Sequence, residues 1–147
     1  MRSYRGFTLA ESMLATVLVA YCANASVGLI STRIDSARVE QTKQDLARIQ
    51  ATVEAYRAVH HDLPGSLAEL QPKIPLDPWG HPYEYVNFEL SGTQGQRAFD
   101  GLPINSEYDL YSRGADGRSD PNLRTDSGRD DIIRARDGSY IGLAADF

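Results

Sequence analysis

Residues 114 to 131 combine the residue types that bind hard metal ions. The stretch holds five aspartates and three glycines, namely Asp116, Asp120, Asp126, Asp130 and Asp131 with Gly114, Gly117 and Gly128. Carboxylates and turn carbonyls are the oxygen donors that calcium prefers, and a calcium ion takes about six to eight of them. No window has both the glycine and the final glutamate of an EF-hand. The pattern therefore predicts a calcium loop of another kind and disfavours zinc.

The same stretch also allows an interpretation without a metal. Arg118, Arg124 and Arg129 lie among the aspartates. Exposed ion pairs of this kind are common and contribute little to stability. A solvated loop neutralised by these arginines is therefore the alternative, and the residues alone leave both interpretations open.

A second chemical signal is an acidic residue inside an apolar segment. Glu11 carries the one charge among the residues from Phe7 to Ile30. An isolated carboxylate in a bilayer costs at least a few kcal/mol and normally has a partner. Cleavage after Gly6 would create one, because the new α-amino group of Phe7 would lie one helical turn from Glu11. The same amine on a neighbouring subunit could also pair with this carboxylate.

The apolar segment itself is long enough to span a membrane. Residues 7–30, at a rise of about 1.5 Å each, match a hydrocarbon core of roughly 30 Å. Arg2 and Arg5 precede the segment, so the positive-inside tendency places the N-terminus in the cytoplasm and residues beyond 31 on the far side. A removable signal peptide is the alternative, but its apolar region is shorter.

Composition limits the remaining possibilities. The chain has 147 residues and a net charge of -5, which suits one domain with an extra element. Lys43 and Lys73 are the two lysines, whereas a nucleic-acid surface needs clustered basic residues. Nucleic acid is therefore excluded as a partner. Cys22 is the one cysteine, so no intrachain disulfide can form.

Helical periodicity continues beyond the apolar segment. Apolar residues recur at spacings of three and four at Leu46, Ile49, Val53 and Tyr56. This spacing predicts that one stripe of a helix faces a core. We expect a single helix from about Phe7 to His60, stopped by Pro64. Ser66 and Glu69 match a capping box that would open a further short turn of helix.

Short strands are predicted where aromatic and β-branched residues cluster. The predicted regions are 83–88, 108–112, 132–133 and 140–143, and the polar segment 91–106 is a loop or hairpin excursion. Strands this close in sequence favour antiparallel pairing, because a parallel pair needs a crossover of about a dozen residues or more. The predicted fold class is α+β, with a long N-terminal helix packed on a small antiparallel sheet.

The N-terminal residues resemble a known family. Gly6-Phe7-Thr8-Leu9-Ala10-Glu11 is similar to the class III signal of type IV pilins and type II secretion pseudopilins. In that family a prepilin peptidase cuts after the glycine and N-methylates the phenylalanine. The resemblance implies that residues 1–6 are a leader and that Glu11 pairs with the Phe7 amine of an adjacent subunit during filament assembly.

Three further segments resemble the major pseudopilin family of the type II secretion system. DPWGHPYEY at 77–85, DLYSRGADG at 109–117 and DDI at 130–132 are similar to its DPWGxPYxY, DxxSxGADG and DDI or ADI signatures. Members of that family bind calcium in the loop between the last strands. The resemblance implies that Asp116, Asp131, Asp130 and the backbone carbonyl of Arg113 are the ligands, while Asp126 has no secure counterpart.

This resemblance implies a pilin-like fold in three parts. Residues 1–6 would be the leader, 7–30 the transmembrane and filament-core helix, and 31–147 a periplasmic globular domain with a calcium loop. The subunit would reside in the inner membrane and polymerise into a periplasmic pseudopilus that drives export of folded proteins across the outer membrane. The implied partners are further copies of the chain, minor pseudopilins, the prepilin peptidase, the inner-membrane assembly platform and membrane lipid.

The sequence also allows functions other than that of a pseudopilus subunit. A type IV pilin or minor pilin-like subunit for adhesion is one alternative, and a membrane-anchored calcium-dependent binding module is another. An enzyme is disfavoured, because Ser112, His81 and the aspartates belong to no G-x-S-x-G, H-E-x-x-H or phosphate-binding motif.

Overall fold

The computed structural model describes residues 9–70, 74–92 and 96–147. Its contacts divide the chain into two compact units, Met1–Ala37 and Arg38–Phe147. Helix α1 (Leu9–His60) confirms the predicted end at His60, whereas the predicted start at Phe7 lies outside the described residues. Within the parts of the chain that the structure describes, no helix is both long enough and apolar enough to cross a membrane.

The second unit contains two small antiparallel sheets. In chain order the strands are β1 (Glu84–Asn87), β2 (Ala98–Phe99), β3 (Leu102–Pro103), β4 (Tyr108–Ser112), β5 (Ile132–Ala135) and β6 (Tyr140–Leu143). Four of them form a sheet in the order β1-β4-β5-β6, and β2 pairs with β3 in a separate hairpin. The antiparallel pairing and the hairpin excursion are thereby confirmed, as are the predicted strand regions, except that β1 lacks Tyr83 and Phe88 of the predicted region.

Two local predictions are wrong. Phe88 does not extend the first strand but begins the short helix α2 (Phe88–Ser91), because the side chain of Asn87 accepts a hydrogen bond from the backbone of Glu89 at 2.9 Å. The short helical turn after Ser66 is confirmed as a 3-10 helix (Leu67–Glu69), but the capping box is wrong, since the Ser66 side chain makes no cap hydrogen bond. The Glu69 carboxylate accepts from Tyr56 of α1 and from the Gly65 N–H, each at 3.2 Å.

One face of the four-stranded sheet packs on residues of α1 within the second unit. The predicted helical stripe is confirmed, because Leu46, Ile49 and Val53 are buried in one core cluster with Tyr108 and Ile132. A hydrogen bond from the Tyr83 hydroxyl to Asp45 Oδ2, 3.0 Å long, also joins the region before β1 to the helix. The aromatic residues of this region therefore serve packing, as expected for side chains of their size.

The other face of the sheet carries a second core cluster. Ile133, the neighbour of Ile132 in β5, is buried there with Ile104, Leu123, Ala135 and Ala144. Consecutive residues of a strand point to opposite faces, so β5 contributes to both clusters. Ile104 and Leu123 come from two long connections that cover this face.

These two connections also pair with each other. We call residues 88–92 and 96–107 the excursion, and residues 113–131 the acidic loop. Ala98 of the excursion donates its N–H to Pro121 O at 2.8 Å, and Leu123 of the acidic loop donates to Ala98 O at 3.1 Å. The backbone of the excursion therefore fixes part of the acidic loop.

Because Ile132 has no exposed surface, we expect Ile132→Ala to lower the free energy of unfolding by about 2–5 kcal/mol through lost contacts and a cavity. Urea denaturation followed through Trp79 emission measures this loss. The control is Leu102→Ala, where the side chain is 71% exposed and the expected change is within about 0.5 kcal/mol. Equal losses in the two variants would contradict the assignment of this core.

Candidate functional site

The structure brings the three predicted aspartate ligands close together. Antiparallel pairing of Ser112 in β4 with Ile132 in β5 places the two ends of the acidic loop side by side. Asp116 donates its backbone N–H to Asp130 Oδ2 at 3.1 Å, and Asp131 follows directly. The three aspartates therefore come close together because β4 and β5 pair in this register at the base of the loop.

Asp131 is the most buried of the three, with no exposed surface. Its Oδ2 accepts hydrogen bonds from the Arg97 guanidinium at 2.6 Å and from the Ser119 hydroxyl at 2.5 Å. Its Oδ1 is also buried but has no hydrogen-bond donor among the described residues. Burial raises the pKa of Asp131 to about 7, although Arg97 and Ser119 oppose this rise. The neighbouring carboxylates of Asp130 and Asp116 add to it.

The other two aspartates differ in exposure. Asp130 is half-buried, and its Oδ1 likewise lacks a donor in the described part of the chain. Asp116 is exposed, and its Oδ1 accepts from the backbone N–H of Arg118 at 2.7 Å. Gly114 passes so close to Asp130 that a Cβ on it would lie 2.1 Å from the Asp130 carbonyl oxygen. Only glycine permits this approach at the observed φ of +63°.

Arg113, the predicted carbonyl ligand, directly follows β4. Its guanidinium forms an ion pair with Glu84 of β1 at 2.6 Å. Because both partners keep substantial exposure, at 43% and 27% of the side chain, this pair contributes at most about 1 kcal/mol. Its structural effect is to hold the start of the acidic loop against the sheet, while the role of the Arg113 carbonyl as a ligand stays a prediction.

The acidic loop offers carboxylate oxygens but not a complete set of side-chain ligands for a metal ion. Across residues 9–70, 74–92 and 96–147, no group of three or more His, Cys, Asp or Glu side chains is arranged to hold a metal ion. However, two adjacent residues, Asp130 and Asp131, each have a buried carboxylate oxygen without a donor. Buried acceptors normally have partners. Such oxygens suit a hard cation.

The turn before β1 supports the start of the acidic loop. Asp77 is buried, and its Oδ1 accepts from the backbone N–H groups of Trp79 and His81 at 3.0 and 2.8 Å. Its Oδ2 accepts from the Ser112 hydroxyl at 2.6 Å. The Ser112 oxygen in turn accepts from the Gly114 N–H at 3.2 Å. A chain of hydrogen bonds thus connects the turn to the loop.

These hydrogen bonds also bear on whether Ser112 could be a catalytic nucleophile. The hydroxyl is fully buried and its oxygen accepts from the Gly114 N–H, whereas a serine nucleophile must be accessible to its substrate. The geometry therefore gives Ser112 a structural role.

The sequence did not indicate which arginine neutralises the acidic loop. The metal-free alternative predicts that Arg118, Arg124 and Arg129 neutralise the aspartates of the loop. Arg124 instead pairs with Asp100 of the excursion at 2.5 Å, and the buried guanidinium on Asp131 belongs to Arg97. Arg97 lies in a polar segment without a recognisable motif, so no signal in the sequence marks it.

The predicted processing and assembly residues fall elsewhere. Gly6 and Phe7 lie outside the described residues. Glu11 lies in α1, in the first unit. Their roles stay predictions.

Comparison with known proteins shows clear similarity to two curated relatives. The chain is 31% identical to type II secretion system core protein G of Pseudomonas aeruginosa over 138 residues, which cover 80% of this chain and 87% of that protein. It is 28% identical to type II secretion system core protein G of Escherichia coli K12 over 134 residues, or 77% of this chain and 83% of that protein. No protein-family model matches the chain, and no solved structure matches it.

Ser112→Ala should lower the free energy of unfolding by about 1–3 kcal/mol, because it leaves the buried Asp77 Oδ2 without its hydroxyl donor. The measurement is urea denaturation with Trp79 emission. Ser139→Ala is the matched control, since the Ser139 hydroxyl donates to Arg136 O at 2.9 Å in an exposed turn. Loss of stability in the control but not at Ser112 would contradict a supporting role for the Asp77 turn.

Proposed function

The chain belongs to the family of type II secretion system core protein G, and from this membership we propose that it is a structural subunit that polymerises into the periplasmic pseudopilus. The observation that carries the proposal is the 31% identity that extends over 87% of a core protein G. The role is structural and not catalytic. Similarity to this family also favours secretion over the adhesive and receptor alternatives considered from the sequence.

Assembly would begin with processing of the N-terminus. Cleavage after Gly6 and N-methylation of Phe7 by a prepilin peptidase would remove the basic leader and create a cationic terminus. Glu11 would then pair with the Phe7 amine of an adjacent subunit. An acid is costly in lipid as a lone charge, so pairing with the amine of a neighbouring subunit would favour insertion of the subunit into the filament.

The proposed localisation is based on the apolar N-terminal segment. Residues 7–30 would anchor the subunit in the inner membrane with the N-terminus in the cytoplasm, and residues 31–147 would lie in the periplasm. An assembly platform would extract the subunit, and head-to-tail contacts that do not close a ring would extend a helical filament. Minor pseudopilins would be further partners, and growth of the filament would drive folded proteins across the outer membrane.

Calcium would complete the acidic loop of the globular unit. The support is the pair of buried oxygens, Asp130 Oδ1 and Asp131 Oδ1, that lack donors among the described residues. Asp116 and the Arg113 carbonyl would complete the protein ligands. The ion would neutralise the converging carboxylates, and its binding free energy would add to folding stability. This is valuable in a chain whose one cysteine rules out an intrachain disulfide.

The assembly proposal predicts that Glu11→Ala leaves cleavage after Gly6 intact but reduces filament formation strongly, because the Phe7 amine loses its partner. Mass spectrometry of the mature chain should find methylated Phe7 at its start, and the yield of sheared fibres measures assembly. Glu40→Ala, which removes an exposed acid 3.5 Å from Lys43, should leave both unchanged. A mature chain that retains Met1, or normal fibres with Glu11→Ala, would overturn this mechanism.

The metal proposal predicts that calcium raises the melting temperature of the globular unit by roughly 5–15 °C at a concentration of about a hundred times Kd. The full chain in detergent can be followed through Trp79, its one tryptophan. Asp116→Ala should remove most of the rise, and the control Asp126→Ala should preserve it. A wild-type melting temperature that a chelator does not change would reject the calcium site.

A further inference from the structure

A buried arginine from the excursion reaches into the acidic loop. Arg97 is only 3% exposed, and one terminal nitrogen of its guanidinium donates to Asp131 Oδ2 at 2.6 Å and to the Asp120 carbonyl at 2.8 Å. The other terminal nitrogen donates to the Ser119 hydroxyl. The guanidinium carbon lies 3.4 Å from the centre of the Tyr111 ring, which shields this cation from water.

The backbone holds Arg97 in place independently of its side chain. Its N–H donates to Asp109 Oδ2 at 2.7 Å, and its carbonyl accepts from the Ile104 N–H at 3.1 Å. The next residue, Ala98, donates to Pro121 O of the acidic loop at 2.8 Å. These bonds fix the backbone from which the side chain starts, so the conformational entropy lost when the guanidinium binds the loop is that of the Arg97 side chain alone.

The two oxygens of Asp131 have different environments. Oδ2 accepts from Arg97 and Ser119, whereas Oδ1 has no donor in the described structure, and neither has Asp130 Oδ1 beside it. One guanidinium supplies a single positive charge to two adjacent carboxylates. The loop therefore contains a cation of its own and still has two buried carboxylate oxygens without a donor among the described residues.

We propose that Arg97 is a built-in counter-cation of the acidic loop. Its guanidinium occupies Asp131 Oδ2 and leaves Asp131 Oδ1 and Asp130 Oδ1 to a calcium ion. The stability of the loop therefore depends less on that ion than it would without the arginine. The proposal rests on the calcium site proposed above. It makes Arg97 a positioning residue, because the arginine acts on the metal through Asp131.

The test compares melting temperatures with a chelator and with calcium for the full chain in detergent, followed through Trp79. In the chelator, Arg97→Gln should melt roughly 10–20 °C below the wild type, because one partner of a buried ion pair is lost. Calcium should then raise the melting temperature of Arg97→Gln by at least about twice the wild-type rise, since the metal replaces a larger missing charge.

Matched variants separate this effect from general damage. Arg124→Gln breaks the ion pair with Asp100, which also joins the excursion to the acidic loop but has side chains 58% and 55% exposed. It should melt within about 3 °C of the wild type and keep the wild-type calcium response. The double variant Arg97→Gln/Asp131→Asn should melt above Arg97→Gln in the chelator, because residue 131 then no longer carries a buried charge without its partner.

Arg97→Lys provides a further test if Arg97→Gln does not fold without calcium. It keeps the charge but loses the planar fork, so its melting temperature in the chelator should fall below that of the wild type, with a calcium response near the wild-type value. A calcium response as large as that expected for Arg97→Gln would show that the charge at this position does not offset the metal, and would overturn the proposal.

The outcomes distinguish this inference from the calcium site. If the wild type responds to calcium and Arg97→Gln responds equally, the role of Arg97 is refuted and the calcium site stands. If Arg97→Gln responds and the wild type does not, Arg97 replaces the ion in the native chain, and the proposal that the arginine and the metal share Asp131 is refuted. If neither responds, the calcium site fails, and the sharing of Asp131 with a metal fails with it.

Discussion

A carboxylate that is removed from water must be compensated, and this constraint at Asp131 organises the acidic loop and the excursion. The effective cost of burying an ion is several kcal/mol, and attraction repays it only when the geometry is good and the remaining lone pairs are satisfied. Arg97 and Ser119 satisfy Oδ2, and the excursion follows a path that delivers Arg97 to this position. The buried pair contributes less to stability than the loss of either partner would cost, so its main effect is to specify one arrangement of the two connections.

The α-helix and the strands could be predicted from the sequence because their signals are local. The spacing of Leu46, Ile49 and Val53 depends on the helix alone, and strand regions at 108–112 and 140–143 coincide with β4 and β6. The capping box failed for a physical reason that local sequence does not contain. The Glu69 carboxylate accepts from Tyr56 of α1 and from the Gly65 N–H, one residue before the expected cap, so a tertiary contact with α1 takes part in placing this carboxylate.

The candidate site could be predicted only in part. The convergence of Asp116, Asp130 and Asp131 follows from antiparallel strands at the two ends of one loop, and both the aspartate pattern and the family resemblance pointed to it. Arg97 is 34 residues from Asp131 in sequence, and its approach depends on how the excursion pairs with residues 121–123. An arginine in a polar segment normally indicates a solvated surface, so the sequence gives no reason to place this one in the interior.

Asp131 and Arg97 also belong to a wider group of buried charges that connects the parts of the globular unit. Asp109 is buried, and it accepts from Arg97 N at 2.7 Å and from the Asn105 side chain at 2.9 Å. Asn105 in turn accepts from the buried Arg134 guanidinium at 3.2 Å.

Arg134 carries this network to the helix. It donates to Gln50 of α1 at 3.1 Å, across 84 residues of sequence, and stacks over the Tyr108 ring at 3.9 Å. Because members of one polar network are energetically coupled, the excursion, the sheet and α1 resist separation together. In secreted domains such long-range connections are often made by disulfides. With Cys22 as its one cysteine, this chain makes its long-range connections through buried guanidinium groups. In the acidic loop these arginines still leave carboxylate oxygens of Asp130 and Asp131 without a hydrogen-bond donor among the described residues.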